Sequence, residues 1–399
     1  MNRQRAAMGH RAPAQVLLLV AAAVAGWCAV ATTAAEVKVG PRGQVSVDGV
    51  PTVPLGVWCQ PTYLFDYYRH LGLNCVVGAD EEQLAGGTPD PFVAAETHGL
   101  GLMLPPNPRI VGKSSPVLWG YLNGAIDQRS ALWLRDNYLR LTQTDPGRLV
   151  LTNIPIRPFL RDENAALFPA ALRYTDGVIS HVWPECLNPD RPDVRLAARF
   201  VDRVRHLCRN RPGGEVSVWV DINPHAWSLK KSEGGTSFPA PTRDELRFQI
   251  WSALIHGADG ICFFPISFDP FVYSQIPAGN VKEIAWNCAL IRKMAAVLTA
   301  EESPLKIEVE TEPRHGVVDW TTRTSGGRHY LFLLNGVGQD QTVRIRPGRG
   351  ADRWTLWDAI EENEHPVDGE YTEKLPGLAL RIWEVRIGAA VRETERKGR

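Results

Sequence analysis

The chain has 399 residues, with 44 Lys and Arg against 44 Asp and Glu. A formal net charge of zero removes the electrostatic case for nucleic acid or an anionic membrane surface as a partner. The 44% hydrophobic content is that of a globular protein, and the length suits one large α/β domain with a smaller one attached. The N-terminus comes first. Arg3, Arg5 and Arg11 precede an apolar run from Val16 to Val30, and Thr33-Ala34-Ala35 supplies small residues before Glu36. Residues 1–35 therefore read as a removed secretory signal, and the protein is expected to be exported, to a periplasmic or extracellular space. The apolar run is short for a span, and no later segment is long and apolar enough to cross a membrane.

Eight short apolar runs then alternate with amphipathic stretches. Val45 to Val47, Asp48-Gly49 and Val50 give a hairpin signal. Strand one is predicted over Val53 to Trp58, strand two over Asn74 to Gly78, strand three over Gly101 to Leu104 and strand four over Val117 to Leu122. Strand five follows over Leu149 to Ile154, strand six over Gly177 to Trp183, strand seven over Glu215 to Ile222 and strand eight over Ile261 to Phe264. Helices are predicted between them: 64–71 closed by Gly72, 91–99, about 130–141 and 164–174, and one whose first turn holds Pro192. The next is capped by Thr242 with Glu245 three residues on, a capping box, and is stopped by Gly257. A closing helix carries Val281, Ile284, Cys288, Ile291, Ala295 and Leu298 on one side.

This alternation predicts a (β/α)8 TIM barrel over 36–301. After Pro304 the period changes to two. Ile307-Glu-Val-Glu, Tyr330-Leu-Phe-Leu-Leu and Trp354-Thr-Leu-Trp are among the runs that read as strands of a small antiparallel β-sandwich over 302–388. Residues 389–399 form a charged tail.

In such a barrel the chemistry lies at the C-terminal ends of the strands. Those ends carry Trp58, Asn153, Arg157, His181, Trp183, Glu185, Asp221, Asn223, His225, Trp227, Phe264 and Phe268. Strand four adds Trp119, Tyr121, Asn123 and Asp127. Flat aromatics beside carboxylates and amides suit a sugar, whose apolar face packs on a ring while polar groups bind its hydroxyls. Any one ring can equally be core, but Trp58, Trp119, Tyr121, Trp183, Trp227 and Phe268 together suggest a carbohydrate-sized cleft. His181 and His225 with Glu185 and Asp221 fit no standard zinc spacing, and Cys59, Cys75, Cys186, Cys208, Cys262 and Cys288 include no CxxC pair. The expectation is no metal and no cofactor.

Three passages resemble a known family. Thr242-Arg-Asp-Glu-Leu-Arg with Ala253-Leu-Ile-His-Gly-Ala-Asp-Gly-Ile, Val117-Leu-Trp-Gly-Tyr-Leu122 and Tyr174-Thr-Asp-Gly-Val-Ile-Ser-His-Val-Trp-Pro184 are similar to glycoside hydrolase-like (β/α)8 proteins related to clan A. The likeness covers roughly residues 45–388 and implies hydrolysis of a polysaccharide or oligosaccharide by two carboxyl groups. Relatives carry Asp-Glu-Pro or Asn-Glu-Pro after the fourth strand, and that glutamate is the acid. Here Leu122-Asn-Gly-Ala-Ile-Asp127 has none. The expected carboxyl pair is therefore Glu185 and Asp221, with Asp127 in reserve or serving as a helix cap. Substrate contacts are expected from Trp58, Tyr121, Asn123, His181, Trp183, Asn223, His225, Trp227 and Phe268. Asp221 can instead orient His225 or a turn, and the missing glutamate leaves open a carbohydrate-binding protein without catalysis.

Overall fold

The structure, a computed structural model, describes residues 34–78, 89–126, 131–160, 167–184, 192–228, 237–268, 270–313, 316–348 and 353–387. Most of the predicted signal segment, the charged tail, Asp127 and Glu185 lie outside these residues.

Eight parallel strands close into a barrel in chain order. They are strand one (Leu55–Trp58), two (Cys75–Val77), three (Gly101–Leu104), four (Leu118–Ala125), five (Leu149–Asn153), six (Gly177–His181), seven (Ser217–Ile222) and eight (Gly260–Phe263), the last pairing with the first. Alternation decides which side chains meet. Cys75, Val77, Leu151, Ile179, Trp219 and Cys262 fill the lumen. Their neighbours Val76, Val150, Val178, Val218, Val220 and Ile261 pack outward against the helices. Gly56 is small because a Cβ there would stand 3.3 Å from the sulfurs of both Cys75 and Cys262.

The predicted hairpin closes the lower end, with one strand more than expected. Val37–Val39, Val45–Val47 and Val50–Thr52 form an antiparallel sheet. Asp48 and Gly49 both take positive φ, as a two-residue turn requires. Val37 and Val45 plug the lumen from below.

The helix Arg243–Ile255 shows the capping box in full. Thr242 accepts from the Glu245 backbone, and Glu245 accepts from the Thr242 backbone. Elsewhere boundaries shift. The helix predicted from Pro192 starts at Leu196, after a turn in which Asp193 accepts from the Arg195 backbone at 3.1 Å. A short helix, Ile156–Leu160, follows strand five where a loop was expected.

Beyond the closing helix (Ala278–Leu298) the chain forms two antiparallel sheets, one of three strands and one of five. They share a core of Leu331, Leu333, Val343, Ile345, Trp383 and Val385, which makes a small sandwich. The run Leu331–Leu334 is apolar throughout because its sheet is covered on both faces. Leu331 and Leu333 face the sandwich core, whereas Phe332 and Leu334 join the core of the barrel. Phe332 stacks on Trp251 with ring centroids 6.2 Å apart.

Candidate active site at the barrel mouth

Strands six and seven are neighbours, and their register sets His181 directly beside Asp221. Both side chains follow the inward parity of Ile179 and Trp219. Asp221 is fully buried, and its Oδ2 meets His181 Nδ1 in a short hydrogen bond. Its Oδ1 has no hydrogen-bond partner, although the Cys262 thiol lies beside the carboxyl. Burial raises the Asp221 pKa above the usual carboxylate range, and the charge and hydrogen bond of His181 oppose that rise.

His181 is the accessible member, with 27% of its side chain exposed. A carboxylate oxygen only accepts, so Nδ1 is the donor to Asp221 and Nε2 is the ring's other nitrogen. The Asn153 amide lies 3.5 Å from Nε2. The imidazole is held on three sides by rings: Trp58 at 4.7 Å, Trp183 at 5.2 Å and Phe264 at 5.3 Å between centroids. The aromatic surface continues outward. Trp183 meets Trp227 at 5.3 Å, and Trp227 stacks on Phe238 at 5.4 Å and meets Phe268 at 6.4 Å. The indole N–H groups of Trp183 and Trp227 have no acceptor.

A cleft of about 370 Å³ opens beside this cluster, lined by Asn153, Pro155, Ile156, Arg157, His181 and Trp183 among others. Among the described residues its lining holds no carboxylate. The arrangement can therefore seat a ring-shaped polar ligand against flat apolar faces. It offers that ligand one imidazole edge backed by a buried carboxyl group.

The structure gathers Trp58, His181, Trp183, Trp227 and Phe268 as the strand-end reading placed them. It disperses others. Tyr121 is fully buried in the layer between barrel and helices, and its hydroxyl donates to Asp145 Oδ2. Asn123 faces the same layer and donates to the Leu134 carbonyl at 3.1 Å. Trp119 packs over Gly101, whose Cβ position lies 2.2 Å from the indole. Asn223 and His225 form a turn, Asn223 Nδ2 donating to the His225 carbonyl at 2.8 Å. His225 is buried, and burial lowers its pKa. Asp221 orients His181 and not His225. Asp127 and Glu185 lie outside the described residues. Phe238 and Phe264 complete the cluster. Phe264 stood in the rim, whereas Phe238 carries no signal beyond its aromatic type.

No protein-family model and no curated protein matches the chain. Solved structures do resemble it. A glycoside hydrolase aligns over 88% of this chain and 97% of its own, with 10% identity and a TM-score of 0.54. A glycoside hydrolase family 5 protein from Bacteroides vulgatus aligns over 88% and 94%, with 10% identity and a TM-score of 0.53. A family 42 β-galactosidase from G. stearothermophilus, in a catalytic-mutant form, aligns over 84% and 98%, with 8% identity and a TM-score of 0.52. The chain thus has a glycoside hydrolase-like fold: a TIM barrel followed by antiparallel sheets.

Proposed function

We propose that this chain is an exported glycoside hydrolase-like protein that binds an oligosaccharide or polysaccharide across the barrel mouth and hydrolyses its glycosidic bonds there. The observation that carries the reading is the His181–Asp221 pair set among three aromatic rings at the strand ends of this barrel. Asp221 is too deep to touch a sugar, so it acts through His181 as a positioning residue. It fixes the ring tautomer and stabilises the imidazolium. His181 Nε2 takes a proton from water as the water oxygen bonds to the anomeric carbon. The bond to the leaving oxygen breaks, and that oxygen takes a proton from a carboxylic acid. Glu185, which follows Trp183-Pro184, is the proposed acid, with Asp127 as the alternative. The imidazolium proton returns to the carboxylate through water, which closes the cycle. Glu185→Gln should lower kcat by about 10²-fold or more with little change in KM. Wild-type turnover in both Glu185→Gln and Asp127→Asn would remove the acid from the scheme.

The second reading is saccharide binding without cleavage. Asn123-Gly124 stands where relatives place their acid, the Asn123 amide is engaged with Leu134, and the described cleft lining lacks a carboxylate. It is distinguished by saturable oligosaccharide binding with no release of reducing ends, and by loss of that binding in Trp183→Ala.

A further inference from the structure

At the opposite end of the barrel a second cavity, of about 220 Å³, lies between the lower loops and the sandwich. Three guanidinium groups line it: Arg42 from the N-terminal hairpin, Arg205 from the helix Leu196–Cys208 and Arg323 from the strand Val318–Ser325. Their commitments differ. Arg205 is saturated, bonding Asp259 at 2.6 Å, Glu215 at 2.8 Å and the carbonyls of Val216 and Gly257. Arg42 spends both terminal nitrogens on carbonyls at the end of the closing helix, Ala300 at 2.6 Å and Thr299 at 3.0 Å. Arg323 uses only Nη1, toward Thr321 Oγ1 at 2.7 Å and the Thr322 carbonyl at 3.1 Å. Among the described residues no acceptor takes its Nε–Nη2 edge and no carboxylate pairs with it.

That edge is the fork with which arginine grips an oxyanion through two parallel hydrogen bonds. Arg323 is buried enough that desolvation lowers its pKa, and the charges of Arg42 and Arg205 push the same way, against Glu302 and Asp259. The lining holds three guanidinium groups and three carboxylates, but Glu215 and Asp259 both pair with Arg205, which leaves Arg323 without an ion-pair partner among the described residues. Glu302 lines the cavity too and is its one carboxylate without an ion-pair partner among the described residues. It therefore competes with an external anion for the site.

We infer that this lower cavity binds a tetrahedral oxyanion, phosphate or sulfate, gripped by Arg323 and faced by Arg42. The anion can be free or can be the half-ester of a larger molecule. The test uses the full chain, titrated with sodium phosphate, sodium sulfate or a monosaccharide sulfate ester, against sodium chloride at matched ionic strength. Thermal shift and isothermal titration are the readouts. The expected result is saturable one-site binding. Inorganic anions alone point to a free ion, and equal binding of the ester points to a half-ester. Arg323→Gln should weaken binding at least tenfold, and Glu302→Gln, a change on an unpaired side chain, should tighten it severalfold. Stabilisation that merely follows ionic strength would overturn the proposal. So would wild-type affinity in Arg323→Gln or, should that variant not fold, unchanged affinity in Glu302→Gln.

Discussion

Two aspartates sit at opposite ends of the paired strands seven and eight, and their surroundings differ in kind. Asp259, at the lower end, accepts from Arg205 at 2.6 Å and from the Val218 backbone at 2.9 Å. Asp221, at the upper end, has a histidine on one oxygen and no hydrogen bond on the other. Burial raises the pKa of both. The lower carboxylate is matched by a permanently charged partner, which is how a buried ion pair serves a fold. The upper one is matched by an imidazole that reaches the surface, the arrangement that the proposed proton transfer uses. On the proposed reading, stability and chemistry are separated along the barrel axis.

Removing the lower pair should have the largest effect on folding. Arg205→Ala leaves Asp259 buried without its cation and should cost about 3–5 kcal/mol in urea unfolding. A loss below about 1 kcal/mol would erase the distinction between the two ends. At the upper end Trp183→Ala should leave the unfolding midpoint less affected than that. It should weaken oligosaccharide binding, measured by titration calorimetry, by about 2 kcal/mol, the scale of a central aromatic anchor.

A third ion pair, at the seam between barrel and sandwich, gives a pH signature. Burial alone would lower the pKa of His256. Hydrogen bonds and charges from Asp202 and Asp319 overcome that and raise it to about 9. Arg195 shares Asp319. The folded value lies above the ordinary 6.5, so this contribution is complete below pH 6.5 and is lost as pH rises through 9. His256→Gln should therefore lower the melting temperature at pH 6, by the equivalent of about 1–2 kcal/mol, and have little effect at pH 10. The smallest effect belongs to the wall. Tyr121→Phe should cost about 1 kcal/mol of stability and leave saccharide affinity unchanged. A fall in affinity would return Tyr121 to the cleft.

The barrel was legible because its two periods, 2 for strands and 3.6 for helices, were both present, and because Thr242 with Glu245 and Gly257 marked one helix at both ends. The aromatic cluster was legible for the same reason: strand ends locate a barrel mouth. The partner of Asp221 was not, since it depends on register between strands six and seven. Starting strand seven at Glu215 in place of Ser217 hides that His181 and Asp221 lie at equal offsets from their strand starts. Tyr121 and Asn123 were misplaced by an irregularity. Strand four runs on to Ala125, and its pairing with strand five shifts between Leu122 and Ala125. Its pairing with strand three has already shifted, Leu118 facing Leu102 and Gly120 facing Met103, so that Leu118 and Tyr121 lie on the outer face while Trp119 and Leu122 point inward. Period-two counting cannot see such a shift.

The most direct test is turnover of a purified wild-type protein and its His181→Gln and Asp221→Asn variants on a panel of oligosaccharides, scored by release of reducing ends. The account predicts that both variants keep the wild-type unfolding transition within about 1–2 kcal/mol and lose about 10²–10⁴-fold in kcat with KM little changed. Cleavage at the wild-type rate by either variant would contradict it.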